Sequence, residues 1–200
     1  AWSQPTALAI SREDGRIASA LVQFLHPWLG TQIEQDDGST QPLTQVQLTG
    51  DVRSYVVTPW LPNHVIAGHA SVGAALGGTA YLGNYQIGGA IGDGAFFVTP
   101  DEFRMLRGYP FGYDIGDMYW LTGLEYRFPI WHIHRGVGTV PLYLRSLSGT
   151  LFADAGNAFA APEPSTKGSQ ASDLMRAAFQ RPLVGVGAEL SLGNVVGYRQ

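Results

Sequence analysis

The side chains that could do chemistry are few, and most stand alone. His132 and His134, in Trp131-His132-Ile133-His134-Arg135, are two apart and would point the same way on a strand, as a metal-binding pair would. A third ligand of matching spacing is missing, so a polar turn at an interface accounts for the pair as well. His26, His64 and His69 are isolated. The 200 residues contain no Gly-x-Ser-x-Gly elbow, no His-Glu-x-x-His and no Gly-rich phosphate loop ending in Lys-Ser/Thr. The run Gly83–Gly94 is rich in Gly, but no helical pattern follows it, so it is no nucleotide cradle. Cys is absent, which removes thiolate metal sites, Cys nucleophiles and disulfides together. No catalytic residue, metal set or cofactor site can be nominated, and the expectation is a protein that is not an enzyme.

One charged residue stands in a setting that demands partners. Arg107 lies in Phe103-Arg104-Met105-Leu106-Arg107-Gly108-Tyr109-Pro110-Phe111-Gly112, the middle of a predicted loop over 77–116. A loop of roughly 40 residues is uncommon unless it is functional or disordered. This one is too apolar for disorder, because Phe96, Phe97, Val98, Phe103, Met105, Leu106, Tyr109 and Phe111 all favour burial. Pro110 between Gly108 and Gly112 predicts a tight turn displayed among aromatic residues. If the strands form a barrel, such a loop can hide its surface inside the lumen. Arg107 would then need anionic partners, since breaking a buried ion pair costs about 3–5 kcal/mol. The next two predicted strands each place one carboxylate on the lumen face, Glu125 and Asp154. The planar fork of Arg suits carboxylates better than the point charge of Lys. The other reading of Arg107 is a solvated loop residue.

The elements that would position these residues are strands. Between Met118 and Ile130, Trp120, Leu124, Tyr126, Phe128 and Ile130 alternate with Gly123, Glu125 and Arg127. Val184, Val186, Ala188, Leu190 and Leu192 alternate with Gly185, Gly187, Glu189 and Ser191. Similar period-two runs cover Val46–Thr58, Ile66–Leu76 and Leu142–Asn157, and weaker ones cover Thr6–Arg12 and Ile17–Phe24 around an Asp14–Gly15 turn. That predicts seven strands and no convincing helix. Short joins (Glu13–Gly15, Trp60–Asn63, Gly193–Asn194) interleave with long ones (His26–Leu43, 77–116, Ala158–Pro182) and a medium one (Trp131–Pro141). Short turns on one rim and long loops on the other mark an up-and-down outer-membrane barrel. Trp28, Trp60, Trp120, Trp131, Tyr119 and Tyr143 fall near predicted strand ends, where an aromatic girdle would lie.

Composition narrows the class. Charged residues are 14 % of the chain and Gly supplies 26 positions, while the net charge of −4 excludes a phosphate-neutralising nucleic-acid binder. No apolar run approaches the ~20 residues of a membrane-spanning helix. A soluble antiparallel barrel holding a small apolar ligand would also alternate, with its apolar face inward. Asp51, Arg53, Glu125, Arg127, Asp154 and Glu189 share the less apolar face with the glycines, which favours a polar lumen and an oily exterior. Because bacterial single-chain barrels have an even strand number, seven strands read as one partial barrel domain over 1–200.

Leu106-Arg107-Gly108-Tyr109 resembles the Arg-Gly-Phe/Tyr loop motif of the bacterial surface antigen family, the BamA-type barrels and their protein-secreting relatives. Gly123-Leu124-Glu125-Tyr126-Arg127-Phe128-Pro129, Gly149-Thr150-Leu151-Phe152-Ala153-Asp154-Ala155-Gly156-Asn157 and Val184-Gly185-Val186-Gly187-Ala188-Glu189-Leu190 resemble its next three strands, in order. Residues 1–77 share only strand character and hairpin rhythm. The resemblance implies the C-terminal part of a sixteen-stranded outer-membrane barrel, whose lumen loop sets the motif Arg107 against Glu125 and Asp154. It also implies two further strands after Gln200, several before Ala1 and periplasmic modules upstream. The partners it implies are outer-membrane lipid and unfolded outer-membrane or secreted clients, and the function is assembly, insertion or translocation of those clients. A passive pore or binding barrel of the same fold, a barrel joined to a hydrolase domain, and the soluble ligand-binding barrel are the other readings.

Overall fold

The computed structural model describes residues 14–30, 32–34, 39–42, 44–77, 85–89, 106–136, 142–160 and 170–196. In chain order the elements are β1 (Gly15–Leu25), β2 (Gln32–Glu34), β3 (Thr40–Pro42), β4 (Gln45–Val57), β5 (Val65–Gly77), β6 (Tyr85–Ile87), β7 (Asp114–Gly116), β8 (Met118–Gly136), β9 (Leu142–Phe159), α1 (Gln170–Phe179) and β10 (Leu183–Val196), with a 3₁₀ turn at Pro27–Leu29. Six long strands form one antiparallel sheet in the order β1-β4-β5-β8-β9-β10, each beside its neighbour in the chain's sequence of long strands. Two small hairpins, β2–β3 and β6–β7, interrupt the long connections. The predicted strand Thr6–Arg12 lies outside the described residues, as do 78–84 and 90–105 of the long loop.

The period-two pattern becomes two chemically different faces because directly paired residues share a side. One row crosses the sheet as Ile17, Arg53, His69, Gly123, Asp154 and Gly185; the adjacent row is Gly15, Tyr55, Ala67, Glu125, Phe152 and Gly187. Rows on the opposite face read Ala18, Val52, Ala70, Thr122, Ala155, Val184 and Arg16, Ser54, Gly68, Leu124, Ala153, Val186. The first face is covered toward the end that carries the long loop. Tyr85, Ile87 and Leu106 from the long loop pack there with Ala75, Tyr119, Leu121 and Ala158 into a buried cluster. Tyr85 donates to the Leu48 carbonyl at 3.1 Å, and Asp114 accepts from the Ala158 N–H at 3.1 Å, so the loop is bonded to the wall as well as packed on it. Outside the patch that α1 covers, the other face is bare: Val52, Val72, Leu124, Leu151, Val184, Val186 and Leu190 are all at least half exposed. A contiguous oily surface over buried Asp154 and Ser71 inverts the water-soluble arrangement and fits a barrel wall facing hydrocarbon.

The strands run past several predicted ends. β8 continues through His132 and His134 to Gly136, with register shifts at Pro129/Trp131 and His132/Arg135, so these histidines sit in a bulged strand rather than a turn. β10 passes the predicted Gly193–Asn194 turn to Val196, with both residues paired to β9 and the register shifting by one residue between them. Tyr119 belongs to no exterior girdle: it is 2 % exposed and its hydroxyl bonds Ser71 Oγ at 2.7 Å on the inner face. Within the predicted 158–182 loop the chain forms α1, contrary to the expectation of no helix. Leu174, Ala177 and Ala178 turn toward the wall at helical spacing, but ten residues are too few to have raised that period above the surrounding Pro and Ser.

Candidate functional site

The site begins with the turn at the loop tip. Leu106 is fully buried, and its N–H donates to the Gly88 carbonyl at 2.6 Å. Gly89 N–H donates to the Pro110 carbonyl at 3.2 Å, so the two arms of the loop clasp each other just beside the motif. Gly108 adopts φ +95°, a left-handed conformation that a side chain would strain. The resulting turn aims Arg107 at the wall. Its main chain rests on β10, where a Cβ on Gly185 would stand 2.1 Å from the Arg107 carbonyl oxygen. Tyr109, on the far side of the turn, donates its hydroxyl to the Val184 carbonyl at 3.0 Å and accepts from the Val184 N–H at 3.2 Å.

The wall supplies the acids. Glu125 on β8 and Asp154 on β9 are diagonal neighbours on the inner face, because Asp154 pairs with Gly123 and Glu125 with Phe152. Arg107 donates from Nε to Asp154 Oδ2 at 2.7 Å and from Nη2 to Oδ1 at 2.9 Å, the two-pronged geometry that suits a guanidinium. The same Nη2 lies 2.8 Å from Glu125 Oε1. The other oxygen of Glu125 accepts from Arg127 Nε at 2.8 Å. Beneath the guanidinium lies the Phe152 ring, 3.8 Å from Cζ to the centroid, an added cation–π attraction. Asp154 is completely shielded, while the Arg107 side chain keeps 20 % exposure. Burial works against the charge on Arg107, but the hydrogen bond and charge of Asp154, then those of Glu125, outweigh it and hold the guanidinium above its ordinary pKa.

The structure therefore brings Arg107, Glu125 and Asp154 into one cluster, with Leu106, Gly108 and Tyr109 shaping the turn that presents the cation. It also draws in residues the sequence reading did not single out. Arg127 is two residues from Glu125 and Phe152 two from Asp154, so period-two spacing alone would have placed each beside its carboxylate. Gly185 left no such signal, since its role depends on a backbone 78 positions away in the chain, 185 − 107. A cavity of about 250 Å³ opens beside the cluster, lined by Arg53, Tyr55, His69, Glu125, Arg127 and Glu189. His132 and His134 stack on each other with centroids 6.0 Å apart, far from these residues along β8. Among the described residues no three His, Cys, Asp or Glu side chains converge as a metal set.

A meander of long strands, oily outside and charged within, with a loop docked on its inner surface, defines an outer-membrane β-barrel. The chain belongs to the Omp85 superfamily, whose domain model matches residues 32–197. Members of this superfamily are bacterial outer-membrane proteins that assemble or translocate other proteins, and the chain falls in that class. None of the curated proteins and none of the solved structures matches it.

Proposed function

We propose that this barrel inserts or translocates client polypeptides without catalysis, and that Arg107 is the brace that keeps its wall intact while it does so. The observation that carries the reading is one guanidinium bonded to carboxylates on two adjacent strands, Glu125 of β8 and Asp154 of β9, while its own backbone lies against β10. Ties to three strands resist the splaying of that part of the wall when another part opens for a client. A loop resting on the inner face also suits a gated barrel better than a freely conducting pore. The clients on this reading are unfolded outer-membrane or secreted proteins, delivered by periplasmic modules of the same protein.

The test is Arg107→Ala in the full-length protein. Truncation leaves Asp154 buried without its cation, a loss of about 3–5 kcal/mol. The expected outcome is a barrel that still reaches the outer membrane but unfolds at lower temperature in gel-shift heating and assembles fewer client proteins. Unchanged heat resistance together with unchanged client levels would overturn the brace.

A further inference from the structure

The oily exterior carries one element that a bare barrel wall does not need. Trp120 and Asn157 pair across β8 and β9 on the outer face, and α1 lies over both. Trp120 Nε1 donates to the Ala178 carbonyl at 2.9 Å, and Asn157 Nδ2 donates to the same carbonyl at 3.0 Å and to Ala177 at 3.3 Å. Phe179 packs on the Trp120 ring with centroids 5.2 Å apart. The last carbonyls of a helix have no partner inside it and normally turn to water. Here those of Ala177 and Ala178 are satisfied by the wall, and the wall's two donors are satisfied by the helix, the kind of exchange favoured where water is scarce.

The exposed side of α1 is not purely polar. Met175 is 60 % exposed, and Phe179, one turn on, keeps 56 % exposure although part of its ring meets Trp120, with Ser172 and Arg176 beside them. This surface continues the exposed apolar belt of Val72, Val184 and Val186 at the rim that carries the long loops. We propose that α1 is an interfacial helix, lying on the barrel's outside with Met175 and Phe179 in the acyl region of the outer leaflet and Arg176 reaching back to lipid phosphates. The lipid contact of the barrel would then include a helix between β9 and β10 as well as the strands.

These 200 residues contain no Cys, so once any Cys elsewhere in the full-length protein is replaced, a single introduced label reports on this wall alone. A bimane probe on Met175→Cys would be read in the full-length protein reconstituted into phosphatidylethanolamine–phosphatidylglycerol vesicles, with the same probe on Pro62→Cys, in the exposed β4–β5 turn, as the aqueous reference. The expected result at 175 is a blue-shifted emission, quenched by brominated acyl chains and shielded from iodide, with the reverse at 62. Adding Trp120→Phe and Asn157→Leu together, which removes both side-chain anchors of α1, should return the probe at 175 toward the aqueous signature. Iodide quenching at 175 equal to that at 62 would overturn the proposal, and so would protection from both quenchers, which would mean that protein covers the helix.

Discussion

At the residue scale, the cluster around Arg107 combines one cation with acids of unequal exposure, and that inequality makes its mutants differ. Asp154 is fully shielded and Glu125 retains 13 % exposure and a second cation, Arg127. Asp154→Asn should therefore destabilise more than Glu125→Gln in thermal unfolding of the full-length protein. Arg107→Ala combined with Asp154→Asn should cost less than the two single losses added, because neither partner is then left charged alone. Arg107→Lys should recover only part of the loss, since an ammonium cannot grip both oxygens of Asp154 while touching Glu125. The raised pKa of Arg107 adds stability that is complete below the ordinary arginine range and fades only as pH climbs through the raised value. Arginine keeps its proton up to about pH 12, so alkaline buffers to about pH 10 should leave loop protection unchanged in hydrogen exchange. Loop release in that window would assign the docking to some other group.

At the element scale, the period-two signal carried most of the information. It located the six long strands, the face bearing Glu125 and Asp154, and the loop between β5 and β8. Leu124 is 58 % exposed on the outer face at the middle of β8, so Leu124→Arg should cost about 2–4 kcal/mol if measured by unfolding from lipid. A change within experimental error would mean that this face does not contact hydrocarbon. Gly185→Ala belongs to the same scale: its methyl group would meet the Arg107 carbonyl at 2.1 Å, and either β10 or the loop tip must shift. The expected loss is about 1–3 kcal/mol, as for overpacking elsewhere. What alternation could not reveal were features set by distant chain segments. Tyr119 is not among them: its odd position already sets it on the face of Gly123 and Glu125, against its girdle-like side chain, and it packs inward on Tyr85. The strand extension through His134 depends on bulges, which are irregularities that a strict period reads as an end. α1 is stabilised by Trp120 and Asn157, neither of which lies in its own sequence window.

At the scale of the whole molecule, the loop occupies space that would otherwise be lumen. Full-length barrels carrying Glu125→Gln and Asp154→Asn together should show higher ion conductance in planar bilayers than the unaltered protein, as the loop loses its hold. Equal conductance would mean that the buried cluster of Tyr85, Ile87 and Leu106 keeps the loop in place by itself. The brace also bears on how the strands find one another. Asp154 is flanked by Ala153 and Ala155 on β9, and a slip of one position would exchange the two faces of that strand. A misaligned β9 would offer the guanidinium a methyl group and send a carboxylate into oil. The ion pair at the loop tip can close only when the hairpin has come together in frame, so it acts as a checksum on the barrel's own assembly.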